Sequence, residues 1–199
     1  TLSSSSAASD VYKRQPSDLE GEKVVPGGLT PANPDAQRLG TAIHLLLETL
    51  PNTPEEKWKI VAEKIVDADI FSFAWAEAKE ILYHPDLAHI FASATFGEVN
   101  ISAHIDELNG DPIQGSIDRL IISNDTVLAI DFKTNQIVPK TPNQVPEGIL
   151  RQLGAYASAL QQIFPNHQVG TAILWTKTCS LMKLPNHLVI TSLEGVSPS

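Results

Sequence analysis

Cysteine occurs once in this chain of 199 residues, at Cys179. A single thiol cannot close an internal disulfide, complete a Cys-based zinc site or hold a Cys-ligated cluster. It sits between Thr178 and Ser180 in a stretch that reads as a turn. Basic residues are also scarce: 14 Lys and Arg stand against 23 Asp and Glu, a net charge of −9. Tight, independent nucleic-acid binding ordinarily leaves a basic footprint, and the chain has none overall. No apolar run nears the ~20 residues of a spanning helix, and no charged-then-apolar leader opens the chain. The expectation is a cytoplasmic protein with no membrane partner. There is no Walker-type phosphate loop, since Gly27-Gly28 lacks the lysine and the helix that would follow. No run of basic and aromatic residues suggests a stacking platform. His84, His89, His104, His167 and His187 share no metal-ligand spacing, and there is no internal repeat.

What is present suits one soluble globular domain. Residues 1 to about 34 are expected to be unstructured. Leu2 to Ser9 is low-complexity Ser/Ala, and Ser9 to Gln15 lacks periodicity and resembles translated adapter or cloning sequence. Pro26-Gly27-Gly28 and Pro31-Ala32-Asn33-Pro34 read as a linker. The folded domain is expected over residues 35–199.

Leu39, Ile43, Leu46, Leu47 and Leu50 follow a helical period that Pro51 ends. Thr53-Pro54-Glu55-Glu56 reads as a capping box opening a second helix that buries Trp58, Val61 and Ile65. A third helix is expected from Ser72 to Tyr83 and a short one from Asp86 to Phe91. Alternation then begins near Phe96. Glu98 to Ile105, Ile113 to Ile122 and Thr126 to Lys133 read as strands, joined by turns at Asn109-Gly110-Asp111-Pro112 and Ser123-Asn124-Asp125. Together they predict an antiparallel three-strand meander. After a Pro/Asn loop, Glu147 to Phe164 reads as a helix with Ile149, Leu153, Tyr156, Leu160 and Ile163 on one face. A strand from Val169 to Trp175 and a hairpin into Leu181 to Leu184 complete the chain. The intervening helix suggests a crossover, which would make Val169–Trp175 parallel to the third strand. The class is α/β (α+β): a central mixed sheet flanked by helices, with an N-terminal helical part.

Asp131 and Lys133 are two apart on a strand and project from one face, while Phe132 points to the core. Hairpin pairing can bring Asp118 beside Asp131. Two carboxylates with water and a substrate phosphate suit Mg²⁺, which keeps octahedral oxygen coordination. A metal there would polarise a phosphate and acidify a bound water, and Lys133 would orient that water or meet the growing charge. A solvated strand face carrying a weak Asp–Lys pair fits the same spacing. His44, amid apolar residues, reads as a buried structural histidine or as a metal ligand if its helix packs over the Asp118/Asp131 edge. Gly40, one turn earlier on the same face, would permit a close backbone approach. Gln152 and Tyr156 share a helical face and either line a cleft or belong to the core. Arg151 can contact a phosphate or simply be exposed; Glu98 can be a further ligand or a surface glutamate. Trp58, Trp75 and Trp175 read as core or interface.

The order of these pieces resembles the PD-(D/E)XK nuclease superfamily and its RecB-like branch. Gly40-Thr41-Ala42-Ile43-His44 comes first, then Gly115-Ser116-Ile117-Asp118-Arg119, Ile130-Asp131-Phe132-Lys133-Thr134 and Gln152-Leu153-Gly154-Ala155-Tyr156. The likeness covers about residues 36 to 190 and is greatest to the C-terminal nuclease domains of AddA-type helicase–nuclease subunits. The tail segments Ala172–Thr176 and Leu181–Pro185 contribute to it. It implies a restriction-endonuclease-like core and metal-dependent DNA cleavage, as exonuclease or endonuclease, in double-strand break repair and recombination. It also implies His44, Asp118, Asp131 and the Phe132 carbonyl as ligands of Mg²⁺ (or Mn²⁺). Asp118, Asp131, Lys133, Gln152 and Tyr156 would be the catalytic set. Some relatives carry four cysteines for an iron–sulfur cluster, which this chain cannot hold; AddA-type domains generally lack it. The implied partners are single-stranded DNA delivered by a helicase motor, an AddB-type subunit and the helicase domains themselves. An inactive nuclease-fold module that guides DNA, or a stand-alone resolvase or restriction-like endonuclease, are the competing readings.

Overall fold

The computed structural model describes residues 34–105 and 111–194. The expected unstructured segment up to residue 33 and the turn residues Asn109 and Gly110 lie outside the described residues. Helix α1 (Pro34–Thr49) places Asp35 in its first turn, where a carboxylate favours the positive end of the helix dipole. It buries Ile43, Leu46 and Leu47, each contributing about 1.5–3 kcal/mol of hydrophobic stabilisation. Pro51 then breaks the α pattern into a short 3₁₀ turn, Leu50–Asn52. Helices α2 (Trp58–Ile65) and α3 (Phe71–Leu82) follow.

The expected capping box at Thr53 does not form. Thr53 is used by the turn before it: its N–H donates to Leu50 O and its hydroxyl to Thr49 O. The second helix therefore enters through a 3₁₀ turn, Glu55–Lys57, without a side-chain cap. Trp58, Val61 and Ile65 are only half-buried, packed against the core, and Ala62 is the residue α2 buries fully. The short fourth helix is likewise a 3₁₀ segment, Ala88–Phe91.

Strands β1 (Thr95–Ile105), β2 (Asp111–Ile122), β3 (Thr126–Lys133), β4 (Gln168–Trp175) and β5 (Ser180–Leu184) form one sheet in sequential order. The meander β1–β2–β3 is antiparallel, β3 and β4 are parallel across helix α4 (Glu147–Ile163), and β5 returns antiparallel. Helix α5 (Asn186–Glu194) packs on α4. Cys179 lies in the β4–β5 connection, in the left-handed region at φ 46°, so the expected turn is present there.

The sheet separates two apolar layers. Val127, Ala129 and Ile173 join α4 and α5 on one side. Ile130, Phe132, Ala172 and Leu174 join α1, α2 and α3 on the other. Along β2 the alternation slips: Ile117 and Leu120 enter the same layer although three residues apart. The slip falls at Asp118. In the β1–β2 register Gly97 pairs with Arg119 and Val99 with Ile117, so Glu98 lies across from Asp118. Glu98 has φ 47°, a conformation that costs energy for a residue with a Cβ.

Candidate active site

Strands β2 and β3 are paired only from Ile122↔Val127 to Arg119↔Ile130. The next step of that register would set Asp118 opposite Asp131, and there the strands part. A pocket of about 640 Å³ opens at this fork. His44 reaches it from α1, Asp118 and Ser116 from β2, Asp131, Phe132 and Lys133 from the end of β3, and Gln152 and Tyr156 from α4. The seven residues that the family resemblance implies as ligands or catalytic groups (His44, Asp118, Asp131, Phe132, Lys133, Gln152 and Tyr156) line this one cavity.

Gly40 lets α1 lie against the end of β3, because a Cβ there would stand 2.8 Å from Thr134 Oγ1. His44 Nδ1 is thereby brought to 3.3 Å from Asp118 Oδ1, with its ring edge-on to Phe132. The other Asp118 oxygen, Oδ2, accepts the Phe132 N–H at 2.6 Å. Phe132 meets the site through its backbone, while its ring is buried in the α1–α3 layer.

Asp131 is 4 % exposed. Burial pushes its carboxyl up to about 6; the Lys133 ammonium opposes this and the Asp118 charge adds to it. Lys133 Nζ stands 3.1 Å from Asp131 Oδ2. The contact is a charge pair, with no donor aligned on Oδ2. Lys133 Nζ donates to Gln152 Oε1 at 2.9 Å, Gln152 Nε2 to the Tyr156 hydroxyl at 3.2 Å, and that hydroxyl to Ser116 O at 2.8 Å. Burial and then the Asp131 charge raise the Tyr156 phenol well above its ordinary value, which favours its protonated, donating form. For His44, burial disfavours the charged ring, but the hydrogen bond and charge of Asp118 outweigh it and the pKa is raised.

The carboxylates, including a desolvated Asp131 oxygen without an aligned donor, suit a hard divalent cation, whereas the His44 imidazole is a softer donor. Among the described residues, no three His, Cys, Asp or Glu side chains stand ready as a metal cage. Asp118 meets His44 through one oxygen and the Phe132 N–H through the other, and each carboxylate oxygen keeps a second lone pair that a cation could use.

Other sequence candidates fall elsewhere. Arg151 pairs with Glu147 one turn away and does not line the pocket. Glu98 is exposed and lies near Glu48 of α1, whose carboxyl pKa is raised by burial and then by Glu98. Trp175 is core, whereas Trp58 and Trp75 are half-buried. Asn100, Gln114 and Ser116 line the pocket without having been assigned a role. Ser116 contributes a carbonyl, a group every residue carries, so residue type gave no signal for it. No helix among the described residues is long and apolar enough to cross a membrane.

The chain matches the family model described as the PD-(D/E)XK nuclease superfamily over residues 21–187. Among solved structures it is similar to one titled "Crystal structure of SSO0001", at 11 % identity and a TM-score of 0.35, covering 80 % of this chain and 83 % of that one. No curated protein matches it.

Proposed function

Because the chain belongs to the PD-(D/E)XK nuclease superfamily, we propose that it hydrolyses DNA phosphodiester bonds with Mg²⁺ or Mn²⁺ at the β2–β3 fork. We further propose that it does so as the nuclease part of an AddA-type helicase–nuclease in double-strand break repair and recombination. Its mixed sheet flanked by helices is consistent with a restriction-endonuclease-like core. The observation that carries the catalytic reading is the convergence of His44, Asp118, Asp131, Lys133, Gln152 and Tyr156 on one pocket from four separate elements. The acidic balance of the chain suits a domain to which a motor and an AddB-type subunit deliver single-stranded DNA.

His44, Asp118 and Asp131, with a backbone oxygen of Phe132, would hold the cation. When bound it would supply Lewis-acid polarisation of the phosphate and acidification of water. The remaining chemistry belongs to the chain. Asp131 and Gln152 fix Lys133 Nζ at the pocket wall, where its protons can orient an attacking water or meet charge gathering on a phosphate oxygen. The Gln152 and Tyr156 side chains tie α4 to the Ser116 carbonyl of β2, which holds both walls at a constant separation. That preorganisation matters because misplacement by about 1 Å can cost about 100-fold in rate.

The test is degradation of linear single-stranded DNA with Mg²⁺ or Mn²⁺ by the wild type, Asp131→Ala and Lys133→Ala. Loss of cleavage in both variants is expected; equal cleavage by all three would remove the catalytic assignment. The helicase–nuclease role expects single strands to be cut in preference to intact duplex. Preferential cutting of duplex would favour a restriction-like endonuclease instead.

A further inference from the structure

Arg119 follows Asp118 in β2, yet its side chain is 2 % exposed and does not line the pocket. Its Nη2 donates to the Leu47 carbonyl at the end of α1, at 2.8 Å. That carbonyl would normally accept the N–H four residues on, but residue 51 is proline and has none. Pro51 thus leaves an orphan acceptor at the negative end of the helix, and a cation from another element fills it. The neighbouring carbonyls are satisfied locally, Glu48 O by Asn52 Nδ2 and Thr49 O by the Thr53 hydroxyl. Of these, Leu47 is the one that takes its donor from the sheet.

The guanidinium is accommodated on purpose-shaped surroundings. It lies 5.1 Å from the Phe91 ring centroid. Across the strand pair it faces Gly97, where a Cβ would stand 3.2 Å from Nη1 and 3.4 Å from Cζ. Its Nε has no hydrogen-bond partner. A buried charge incompletely hydrogen-bonded is a poor source of stability, and an apolar side chain of similar length is often as good or better. An apolar side chain cannot, however, join α1 to β2 at a defined point.

We propose that Arg119 is the positioning residue of the site: it caps α1 from β2 and so holds His44 against Asp118. The lever is short. Leu47 lies three residues beyond His44 on α1, and Arg119 is the immediate neighbour of Asp118. This hydrogen bond therefore adds, beside the His44–Asp118 pair itself, a second link between the helix that carries the imidazole and the strand that carries the carboxylate. This inference rests on the nuclease reading only for the roles given to His44 and Asp118.

The test separates capping from positioning through Pro51. Arg119→Met removes both the cap and the link. Adding Pro51→Ala gives Leu47 O an N–H within the helix and restores the cap alone. Arg119→Met is expected to lower Tm and to weaken Mn²⁺ binding by about 10-fold, the lower end of what outer-shell supports contribute to metal affinity. In the double variant Tm recovers while Mn²⁺ affinity stays low. Amide hydrogen exchange in metal-free protein remains faster in α1 than in α3. Recovery of both Tm and Mn²⁺ affinity, or wild-type affinity in folded Arg119→Met, would overturn positioning and leave a structural cap. Should Arg119→Met fail to fold, Arg119→Lys, which keeps a cation but not the fork, decides by the same readings. If the wild type itself binds no Mn²⁺, the metal-dependent reading fails. Selective loss of α1 protection then still decides whether Arg119 docks the helix.

Discussion

His44 Nδ1 on α1 lies 3.3 Å from Asp118 Oδ1 on β2, so the first helix is joined to the sheet by a pair whose charge depends on pH. Burial opposes protonation of His44, but Asp118 prevails and the folded pKa is raised above the ordinary 6.5. A histidine raised on folding contributes stability that is fully present below its unfolded pKa and lost as pH rises through the folded one. In chelator-treated protein, wild type should therefore exceed His44→Gln in Tm most below about pH 6.5, and the gap should narrow at higher pH. Both partners are partly exposed, so the contribution is under about 1 kcal/mol. A gap independent of pH would show that the pair is not charged in solution.

Asp131 is expected to trade stability for chemistry. Its carboxyl is pushed up to about 6, chiefly by burial. A carboxylate raised on folding favours the native state at low pH and penalises it progressively as pH climbs from the unfolded value to the folded one. Above that window the penalty is complete. Asp131→Asn should thus melt higher than wild type at pH 8 without metal, and lose the advantage near pH 4. Its nuclease activity should fall by at least about 10-fold, the lower end of what even outer-shell supports of a metal site contribute. A variant that melts lower at pH 8 would mean that the Lys133 contact, not desolvation, dominates at this position.

Tyr156 offers a contrast within the same pocket. Its hydroxyl donates to Ser116 O and accepts from Gln152, and burial, then the Asp131 charge, raises the phenol pKa and favours this donating form. Tyr156→Phe should cost about 1 kcal/mol of stability through the buried hydrogen bonds it leaves unmade. It should lower kcat by less than about 10-fold and leave the pH–rate profile where it was. Movement of either limb of that profile would give Tyr156 a proton-transfer role that its surroundings argue against.

The order of elements was legible because alternation and helical periodicity are local signals, and the sheet follows the chain from β1 to β5. The pocket residues were legible because each carries a distinctive side chain in an ordered set of motifs. What was hidden depends on long-range placement. Thr53-Pro54-Glu55-Glu56 satisfies a helix-start pattern, but the turn after α1 claims Thr53 first. The slip in alternation between Ile117 and Leu120 coincides with the positive φ at Glu98, which nothing in the sequence of β2 announces. Arg119 is given no role by the sequence, because its partner, the Leu47 carbonyl at the end of α1, lies 72 positions away in the chain.

Two glycines separate the requirements of the fold from those of the site. On α4, a Cβ at Gly154 would stand 2.4 Å from the Val189 carbonyl oxygen and 3.1 Å from Leu193 Cβ of α5. Alanine would ordinarily gain about 1 kcal/mol in a helix, but here α5 must move away, an overpacking cost of about 1–3 kcal/mol. Gly154→Ala should therefore lower Tm, while activity per folded molecule stays near wild type because α5 yields on the side away from the pocket. On α1, a Cβ at Gly40 would meet Thr134 Oγ1 at 2.8 Å, the end of a side chain that can turn aside. Gly40→Ala should thus change Tm little, since helix propensity offsets the contact. Thr134 directly follows Lys133, however, so any residual shift separates His44 from the Asp131/Lys133 end of β3. Activity should drop about 10-fold, within the range expected for sub-ångström misplacement of catalytic groups. Measuring Tm and kcat for both variants checks the pair. The opposite pattern, with Gly40→Ala unstable but active and Gly154→Ala stable but slow, would refute the division of labour between the two helix faces.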